Sequence, residues 1–180
     1  SAKILSVVWA PSGNFVALGL ESGQISLWNQ QAEEILCIER KSPIWCLAFL
    51  PNLDSKATSS SNSNEGDLLV VGCWDKTLSS YKIQGDSYRI QCERSLRYYP
   101  CSITVAGAES NKSNYIIVSG SNKKVTLYSR DGLRLSEIIE RDSWMWCCAC
   151  HLPSHRVVSG SGNGALDVLQ LRSDTVQALS

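Results

Sequence analysis

Residues 69–81 read LVVGCWDKTLSSY, and this stretch decides the fold because three other parts of the chain repeat its pattern. The other copies are VALGLESGQISLW at 16–28, YIIVSGSNKKVTLY at 115–128 and RVVSGSGNGALDVL at 156–169. Each copy has a β-branched or aliphatic run, a small residue, a polar turn and a second run that closes on a bulky apolar side chain. The pattern predicts a repeated strand–turn–strand unit.

Two markers within the copies fix their register. The small positions are Gly19, Gly72, Ser119 and Gly160. The closing bulky positions are Trp28, Tyr81, Tyr128 and Leu169. Both markers advance together, first by 53 residues (19 to 72), then by 47 (72 to 119) and then by 41 (119 to 160). Because two of these intervals lie near the ~40–45 residues of a WD-type blade, the repeat indicates a β-propeller.

Every unit carries two further predicted strands. One precedes the copy: ILSVVW at 4–9, IWCLAF at 44–49, CSITVA at 101–106 and WCCACH at 146–151. Another follows it, most clearly in YSRDGLRLSEII at 128–139, where Asp131 and Gly132 predict the positive φ angles of a tight hairpin. Four antiparallel strands are typical of a propeller blade. We therefore expect an all-β fold, a WD40-type β-propeller of four consecutive four-stranded antiparallel blades.

The predicted blades belong to one incomplete propeller domain. Blade one covers 1–40, blade two 41–97, blade three 98–142 and blade four, itself incomplete, 143–180. Blade two contains a Ser/Asn-rich insertion at 52–67, which we expect to be disordered because it has little apolar surface to offset its ordering entropy. Four blades of this type would leave two open edges. The repeat therefore predicts part of a larger propeller.

Charge and hydropathy argue against two classes of partner. Seventeen Lys and Arg residues balance seventeen Asp and Glu residues, so no net field recruits nucleic acid. No apolar stretch approaches the ~18 residues of a membrane span, and no basic-then-apolar signal pattern opens the sequence, so we expect no direct membrane insertion. The sequence favours a soluble intracellular protein.

The cysteines and histidines give a weak hint of chemistry. The eight cysteines lie mostly in apolar runs, which predicts reduced, buried thiols. The densest group is Cys147, Cys148, Cys150, His151 and His155. Neighbouring strand residues point to opposite faces, so these side chains could not converge on one metal ion without help from another blade. We predict no metal, no cofactor and no enzyme activity, with His151 semi-buried in a structural role.

The tryptophans and the turn charges suggest a binding surface. Trp9 and Trp28 end strands and are predicted to lie in the core, whereas Trp74 lies in a turn and Trp144 precedes a strand. Aromatic side chains on turns can either anchor a partner or pack between blades. The turn between the second and third strands shares a rim with the link into the next blade. The candidate protein-docking residues on that rim are Arg40, Lys41, Trp74, Asp75, Lys76, Arg97, Tyr98, Lys123, Arg141 and Trp144.

Longer strings along nearly the whole chain resemble the first propeller of the intraflagellar transport protein 122 family. They include SAKILSVVWAPSGNFVALGLESGQISLWN at 1–29, ERKSPIWCLAFLPN at 39–52, VGCWDKTLSSYKI at 71–83 and RDSWMWCCACHLPSHRVVSG at 141–160. The most specific element is KKVTLYSRDGLRL at 123–135 followed by SWMWCC at 143–148, which generic WD repeats do not share. The Ser/Asn-rich tract stands where this family carries a long polar insertion.

The resemblance implies a non-enzymatic scaffold subunit of intraflagellar transport complex A. Such a subunit supports retrograde ciliary transport and the admission of membrane cargo to the cilium. The implied partners are the other complex A subunits and tubby-like cargo adaptors, and the implied location is the cilium, its basal body and the cytoskeleton-associated cytoplasm. Other hypotheses stay open at this point: a sister or vesicle-coat subunit, a WD adaptor in signalling or ubiquitin ligation, and an enzyme or metal protein that uses the Cys/His group.

Overall fold

The computed structural model describes residues 2–50, 67–107 and 114–171, and these residues form β-strands joined by short turns. Within those ranges a single 3-10 turn, Leu152–Ser154, is the one helical element. No helix in the described part of the chain is long and apolar enough to cross a membrane.

The strands form four antiparallel sheets that follow one another along the chain. Blade one holds β1 (Ile4–Trp9), β2 (Phe15–Leu20), β3 (Gln24–Asn29) and β4 (Glu34–Glu39). Blade two holds β5 (Ile44–Leu50), β6 (Asp67–Cys73), β7 (Thr77–Gln84) and β8 (Ser87–Ser95). Blade three holds β9 (Pro100–Gly107), β10 (Asn114–Gly120), β11 (Lys124–Tyr128) and β12 (Arg134–Glu140). Blade four holds β13 (Met145–His151), β14 (Arg156–Ser161) and β15 (Leu166–Gln170).

Each strand pairs only with its sequence neighbours in the same sheet, so the predicted all-β propeller of four consecutive antiparallel blades is confirmed. Three blades have four strands. In blade four the described residues supply three strands, and 172–180 lie outside the described residues.

The repeat markers occupy equivalent places in the blades. Gly19 pairs with Ser6 of β1 and Ile25 of β3, and the other three small residues pair in the same way with the first and third strands of their own blades. A Cβ added at Gly19 would lie 2.7 Å from Cγ2 of Ile44 in the next blade. At Gly19 a small residue is therefore required, because Ser6 of its own blade and the inner strand of the next blade both approach it closely.

The core lies between the blades. The first strands contact one another in the order β1, β5, β9 and β13. Because side chains alternate across a strand, Val71 packs towards blade one in one apolar cluster, while Val70 packs towards blade three in another. A third cluster joins blades three and four through Ile117, Met145 and Val157. Each pair of neighbouring blades thus shares one apolar layer.

The two end blades expose apolar side chains on their outer faces. Trp9 of β1 is 61% exposed and Leu166 of β15 is 74% exposed. Among the described residues no extensive contact joins β13 back to β1, so the blades form an open arc. The prediction that Trp9 lies in the core is wrong, because none of the described blades packs on its face of blade one, whereas Trp28 is half-buried.

Two local predictions need correction. Asp67 is the first residue of β6 and not part of a disordered insertion, while 52–66 lie outside the described residues. In the β11–β12 turn, Gly132 has a φ of 73° but Asp131 does not have a positive φ. This hairpin uses one left-handed residue and a bulge in the strand pairing instead of two left-handed turn residues.

The cysteines are less uniformly buried than predicted. All eight are free thiols; Cys46, Cys73 and Cys101 are buried, but Cys37 and Cys147 are exposed. Among the described residues, no neighbouring blade covers these two thiols.

Candidate protein-docking rim

The turns between second and third strands share one hydrogen-bonded design. In each blade the third turn residue donates its N–H to the last strand residue before the turn, as Lys76 does to the carbonyl of Cys73 at 3.1 Å. The carbonyl of this third turn residue accepts a hydrogen bond from the residue that follows the last strand of the blade. Leu96 N donates to Lys76 O at 2.8 Å, and Arg141 N donates to Lys123 O at 2.9 Å. These bonds hold the turns and the interblade links on one edge of the propeller.

We call this edge the docking rim. It consists of the turns 21–23, 74–76, 121–123 and 162–164 and of the links 40–43, 96–99 and 141–144. Hydrogen bonds also tie each link to the turn of the blade it enters, for example Trp74 N to Pro43 O at 2.9 Å and Ser121 N to Tyr99 O at 3.0 Å. The backbone of the rim is therefore well defined in all four blades.

The side chain of Arg40 joins the link after blade one to blade two, and we call such a connection an interblade strut. This side chain is only 14% exposed, and its guanidinium donates to the hydroxyls of Tyr81 at 3.2 Å and Thr77 at 3.1 Å. It also pairs with Asp75, at 3.3 Å, and with Glu93. Burial alone would lower the pKa of Arg40, but the hydrogen bond and charge of Glu93 and the contact with Tyr81 raise it. Arg40 was predicted as a docking residue, and most of its donors are already used inside the protein.

Asp75 combines this ion pair with a turn-forming role. Its carboxylate accepts hydrogen bonds from the backbone N–H of Thr77 at 3.1 Å and from the Thr77 hydroxyl at 2.5 Å. Burial raises the pKa of Asp75, but the hydrogen bonds from Thr77 and Cys73 and the charge of Arg40 outweigh it and leave the pKa below its usual value. Asp75 therefore stays charged and holds both the turn and the strut.

Arg141 joins blades three and four in a similar way. Its guanidinium forms two hydrogen bonds with the carboxylate of Asp167 in β15. The hydrogen bond and the charge of Asp167 raise the pKa of Arg141. Its side chain remains 46% exposed, so Arg141 can both link two blades and meet a partner.

Tyr98 does not belong to the surface of the rim. It is 8% exposed, and its hydroxyl lies 2.9 Å from the hydroxyl of Tyr128 in blade three. Its prediction as a docking residue is corrected: the residue lies at the rim, but the ring points into the apolar layer between blades two and three.

The remaining predicted cations lie at the surface. Lys41, Arg97 and Lys123 are exposed, and Lys76 is half-buried with its ammonium 4.7 Å from the centroid of the Tyr99 ring. None of these four forms an ion pair with another residue in the described part of the chain. Their charges are therefore available to a partner.

Five aromatic rings form a continuous row of ring–ring contacts along the rim, which we call the aromatic ledge. Its members, in order of contact, are Trp45, Trp74, Tyr99, Trp144 and Trp146. Successive ring centroids are 4.5, 4.5, 6.3 and 5.2 Å apart. The ledge crosses blades two to four and brings together the two predicted tryptophans, Trp74 and Trp144, through the ring of Tyr99.

Sequence reasoning missed three members of the ledge: Trp45, Tyr99 and Trp146. Two of them, Trp45 and Trp146, lie inside predicted strands. Trp45 and Trp146 are the second residues of β5 and β13, and in both strands the pairing register shifts at that residue. Such a bulge leaves the residue out of the ladder and redirects its side chain. The signal was the repeated apolar–Trp pair at 44–45 and 145–146, one residue into the first strand of two blades.

The side chains of the Cys/His group are divided between the two faces of β13. Along β13, Cys148 and Cys150 are half-buried against blade three, whereas Cys147 and His151 are exposed. No group of three or more His, Cys, Asp or Glu in the described ranges could hold a metal ion. His151 is not semi-buried as predicted; its ring nitrogen Nδ1 lies 2.8 Å from the hydroxyl of Ser154.

Comparison with known proteins points to one family. The family described as IFT122 first beta-propeller matches residues 1–170. The chain is 36% identical over 183 residues to the intraflagellar transport protein 122 homolog of Xenopus tropicalis and 36% identical to that of Mus musculus. In both cases the match covers 99% of this chain and 14% of the relative, so the chain spans about a seventh of the length of these relatives.

Solved structures share the fold at much lower identity. The computationally designed Ika4 protein superposes with a TM-score of 0.65 at 16% identity, covering 96% of this chain and 93% of the designed one. The β-propeller domain of Myceliophteria thermophila Cps50 (Swd1) superposes with a TM-score of 0.69 at 11% identity, covering 95% of this chain and 52% of that domain. These likenesses concern the propeller architecture alone.

Proposed function

The chain belongs to the intraflagellar transport protein 122 family, within the first β-propeller, and we propose that it is a non-enzymatic scaffold that docks other proteins on its rim. The observation that carries this proposal is the set of cations on the rim, Lys41, Lys76, Arg97 and Lys123, which form no ion pair in the described part of the chain. They accompany a line of partly exposed aromatic rings, and this combination is typical of a protein-binding surface.

The biological setting follows from the family. The scaffold acts in intraflagellar transport complex A, where it contacts the other subunits and tubby-like cargo adaptors. It supports retrograde transport and the admission of membrane cargo to cilia, and it resides in the cilium, at the basal body and in the cytoplasm. The blade ranges 1–40, 41–97, 98–142 and 143–180 act together as one propeller domain in this proposal.

Affinity purification of the complete protein from ciliated cells tests the setting. Mass spectrometry should recover the other complex A subunits in near-equal amounts. Recovery of a vesicle coat or of a ubiquitin ligase in their place would leave the propeller fold intact and reject the proposed assembly.

Charge reversal tests the role of the rim. The triple variant Lys41→Glu, Lys76→Glu, Lys123→Glu should lose at least one of the co-purifying subunits, because each substitution replaces an available cation with a repelled charge. A matched control reverses Arg89, an exposed cation on the outer strand β8. If the triple variant recovers every subunit as well as the wild type and the control do, the rim is not the docking surface.

A further inference from the structure

A cleft opens at the docking rim between blades two and three, where the interblade strut is missing. Leu96 takes the place that Arg40 and Arg141 have in the other blades, since all three donate their N–H to the third residue of the turn. Leu96 is 8% exposed and packs in the apolar layer, so it supplies no charge to the gap. A cleft of about 500 Å³ lies there.

The cleft is cationic. Its lining contains four basic side chains and one carboxylate: Arg94, Arg97, Lys124, Arg134 and Glu137. Glu137 accepts hydrogen bonds from both Lys124 and Arg134, which neutralises part of their charge. Arg94 and Arg97 form no ion pair with any described residue. The cleft therefore offers two guanidinium groups to an anion.

Three cations of the rim are held on a strained backbone. Lys76, Arg97 and Lys123 have φ values of 65°, 63° and 66°, in the left-handed region that favours glycine. At the turn position of Lys76 and Lys123, blades one and four have Gly23 and Gly164, whereas Arg97 lies in an interblade link. A side chain is disfavoured in this conformation, so a lysine at a position where other blades have glycine points to a use for the side chain.

The stacking of the ledge decides which part of each ring can meet a partner. Trp74 has Trp45 on one side and Tyr99 on the other, both with centroids at 4.5 Å and with planes inclined by 32° and 25°. Two rings at this distance and inclination leave less of the Trp74 ring face free for a partner. The edge of an aromatic ring carries positive partial charge, which attracts a carboxylate and repels a cation.

From these observations we infer that the rim of blades two to four binds an acidic segment of a partner protein. Its carboxylates lie against Lys76 and Lys123, one carboxylate enters the cleft beside Arg94 and Arg97, and its apolar side chains pack along the aromatic ledge. The inference rests on the proposed docking function and adds the chemistry of the docked partner.

Charge complementarity selects this occupant. Two carboxylates of the rim are already engaged, Asp75 with Arg40 and Glu21 with Lys3. Asp142 stays exposed beside Arg141. The uncompensated charge on the rim of blades two to four is therefore positive, although the chain as a whole carries no net charge. A local positive surface on a neutral protein fits a short acidic segment.

A single-stranded nucleic acid would also present negative charge, but the ledge does not suit it. Such ligands stack their bases on free aromatic faces and follow an extended basic groove. Here Trp74 contacts two other rings with centroids at 4.5 Å, so it offers little free face to a base. The observations therefore favour an acidic polypeptide.

Fluorescence anisotropy of the complete protein tests the inference. The probe is a fluorescein-labelled decapeptide of glutamate and leucine, compared with the same peptide in which glutamine replaces glutamate and with a fluorescein-labelled oligothymidine. We expect the glutamate peptide to bind, and to bind at least roughly tenfold more tightly than the glutamine peptide, because its carboxylates meet several cations. Raising the salt concentration should weaken this binding.

The key variant is Lys76→Gly, Lys123→Gly, since glycine suits the left-handed positions and spares the fold. It should weaken peptide binding by roughly tenfold, as should Arg97→Gly combined with Arg94→Ala. The control Arg89→Ala, which removes an exposed cation on β8, should leave the dissociation constant within about twofold. Trp74→Leu should also weaken peptide binding, because it removes one ring of the aromatic ledge.

Three results would overturn the inference: no binding of the glutamate peptide, binding that the rim variants leave unchanged, or tighter binding of the oligothymidine through the same residues. None of them would touch the recovery of complex A subunits from cells, so failure of the acidic-segment inference can be told apart from failure of the proposed scaffold function.

Discussion

Arg40 in the link after blade one donates a hydrogen bond to the hydroxyl of Tyr81 in blade two, at 3.2 Å. Tyr81 is 1% exposed, so the bond satisfies a phenol that has little access to water. The two residues lie 41 positions apart in sequence and join one blade to the next. A propeller built of separate sheets depends on such contacts, because no strand pairing crosses from blade to blade in the part of the chain that the structure describes.

Replacing Arg40 by leucine should lower the free energy of unfolding by about 2–4 kcal/mol. The change removes donors to Tyr81 and Thr77 and leaves the carboxylates of Asp75 and Glu93 without their cation. Urea unfolding monitored by tryptophan fluorescence measures the loss. Arg89→Leu on β8 is the control and should stay within about 0.5 kcal/mol of the wild type. Equal stability of both variants would mean that the strut contributes nothing.

The Tyr98–Tyr128 hydroxyl pair gives a second test. Burial raises the pKa of both phenols, so both stay protonated and each needs a hydrogen-bond partner. Tyr98→Phe leaves the Tyr128 hydroxyl without this partner and should cost about 1–2 kcal/mol. The double variant, with phenylalanine at both positions, should cost less than the sum of the two single changes. A double-mutant cycle in urea measures the difference, and strict additivity would show that the hydroxyls do not interact.

The blades could be predicted from the sequence because packing between and within blades constrains the size of the side chains at the repeat markers. Gly72 is small because Cys46 of its own blade and Pro100 of blade three approach it, and Tyr81 is bulky because it fills the layer against blade one. Periodicity could not predict Trp9, since the exposure of an end blade depends on what lies beyond it. Nor could it predict the place of Trp45, because a bulge inside a strand redirects one side chain without changing the pattern.

The close approach at Gly72 is itself testable. A Cβ at this position would overlap Cys46 Sγ and lie 3.1 Å from two carbons of Pro100, so Gly72→Ala should destabilise the protein by about 1–3 kcal/mol. Gly13→Ala is the matched control, because a Cβ at this position would meet no atom within 4 Å. The only cost there is that of an alanine in a left-handed backbone with φ of 71°. Thermal unfolding compares the two, and a smaller loss at Gly72 than at Gly13 would contradict the steric argument.

The left-handed lysines should behave differently from a lysine in a strand. Lys123→Gly relieves the strain at a φ of 66° and should stabilise the fold by up to about 1 kcal/mol. Lys82→Gly, in the interior of β7, should destabilise it by about 0.5–1 kcal/mol because glycine loses more entropy in a strand. Urea midpoints measured in parallel give both values. Destabilisation by Lys123→Gly as large as that by Lys82→Gly would show that the lysine side chain supports the fold and was not retained for binding.

The acid stability of the protein should depend on Asp75. Its pKa in the folded state lies below the unfolded value of about 3.9, so its stabilising effect is complete above that pH and is lost as the pH falls through the folded pKa. The free energy of unfolding should therefore fall less steeply below about pH 4 in Asp75→Asn than in the wild type, although the variant is less stable at neutral pH because it weakens the contact with Arg40. Asp86→Asn, in the exposed turn between β7 and β8, is the control and should keep the wild-type slope. Urea unfolding at several values between pH 3 and pH 6 compares the three proteins, and identical slopes for Asp75→Asn and the wild type would show that the strut carboxylate does not contribute to acid unfolding.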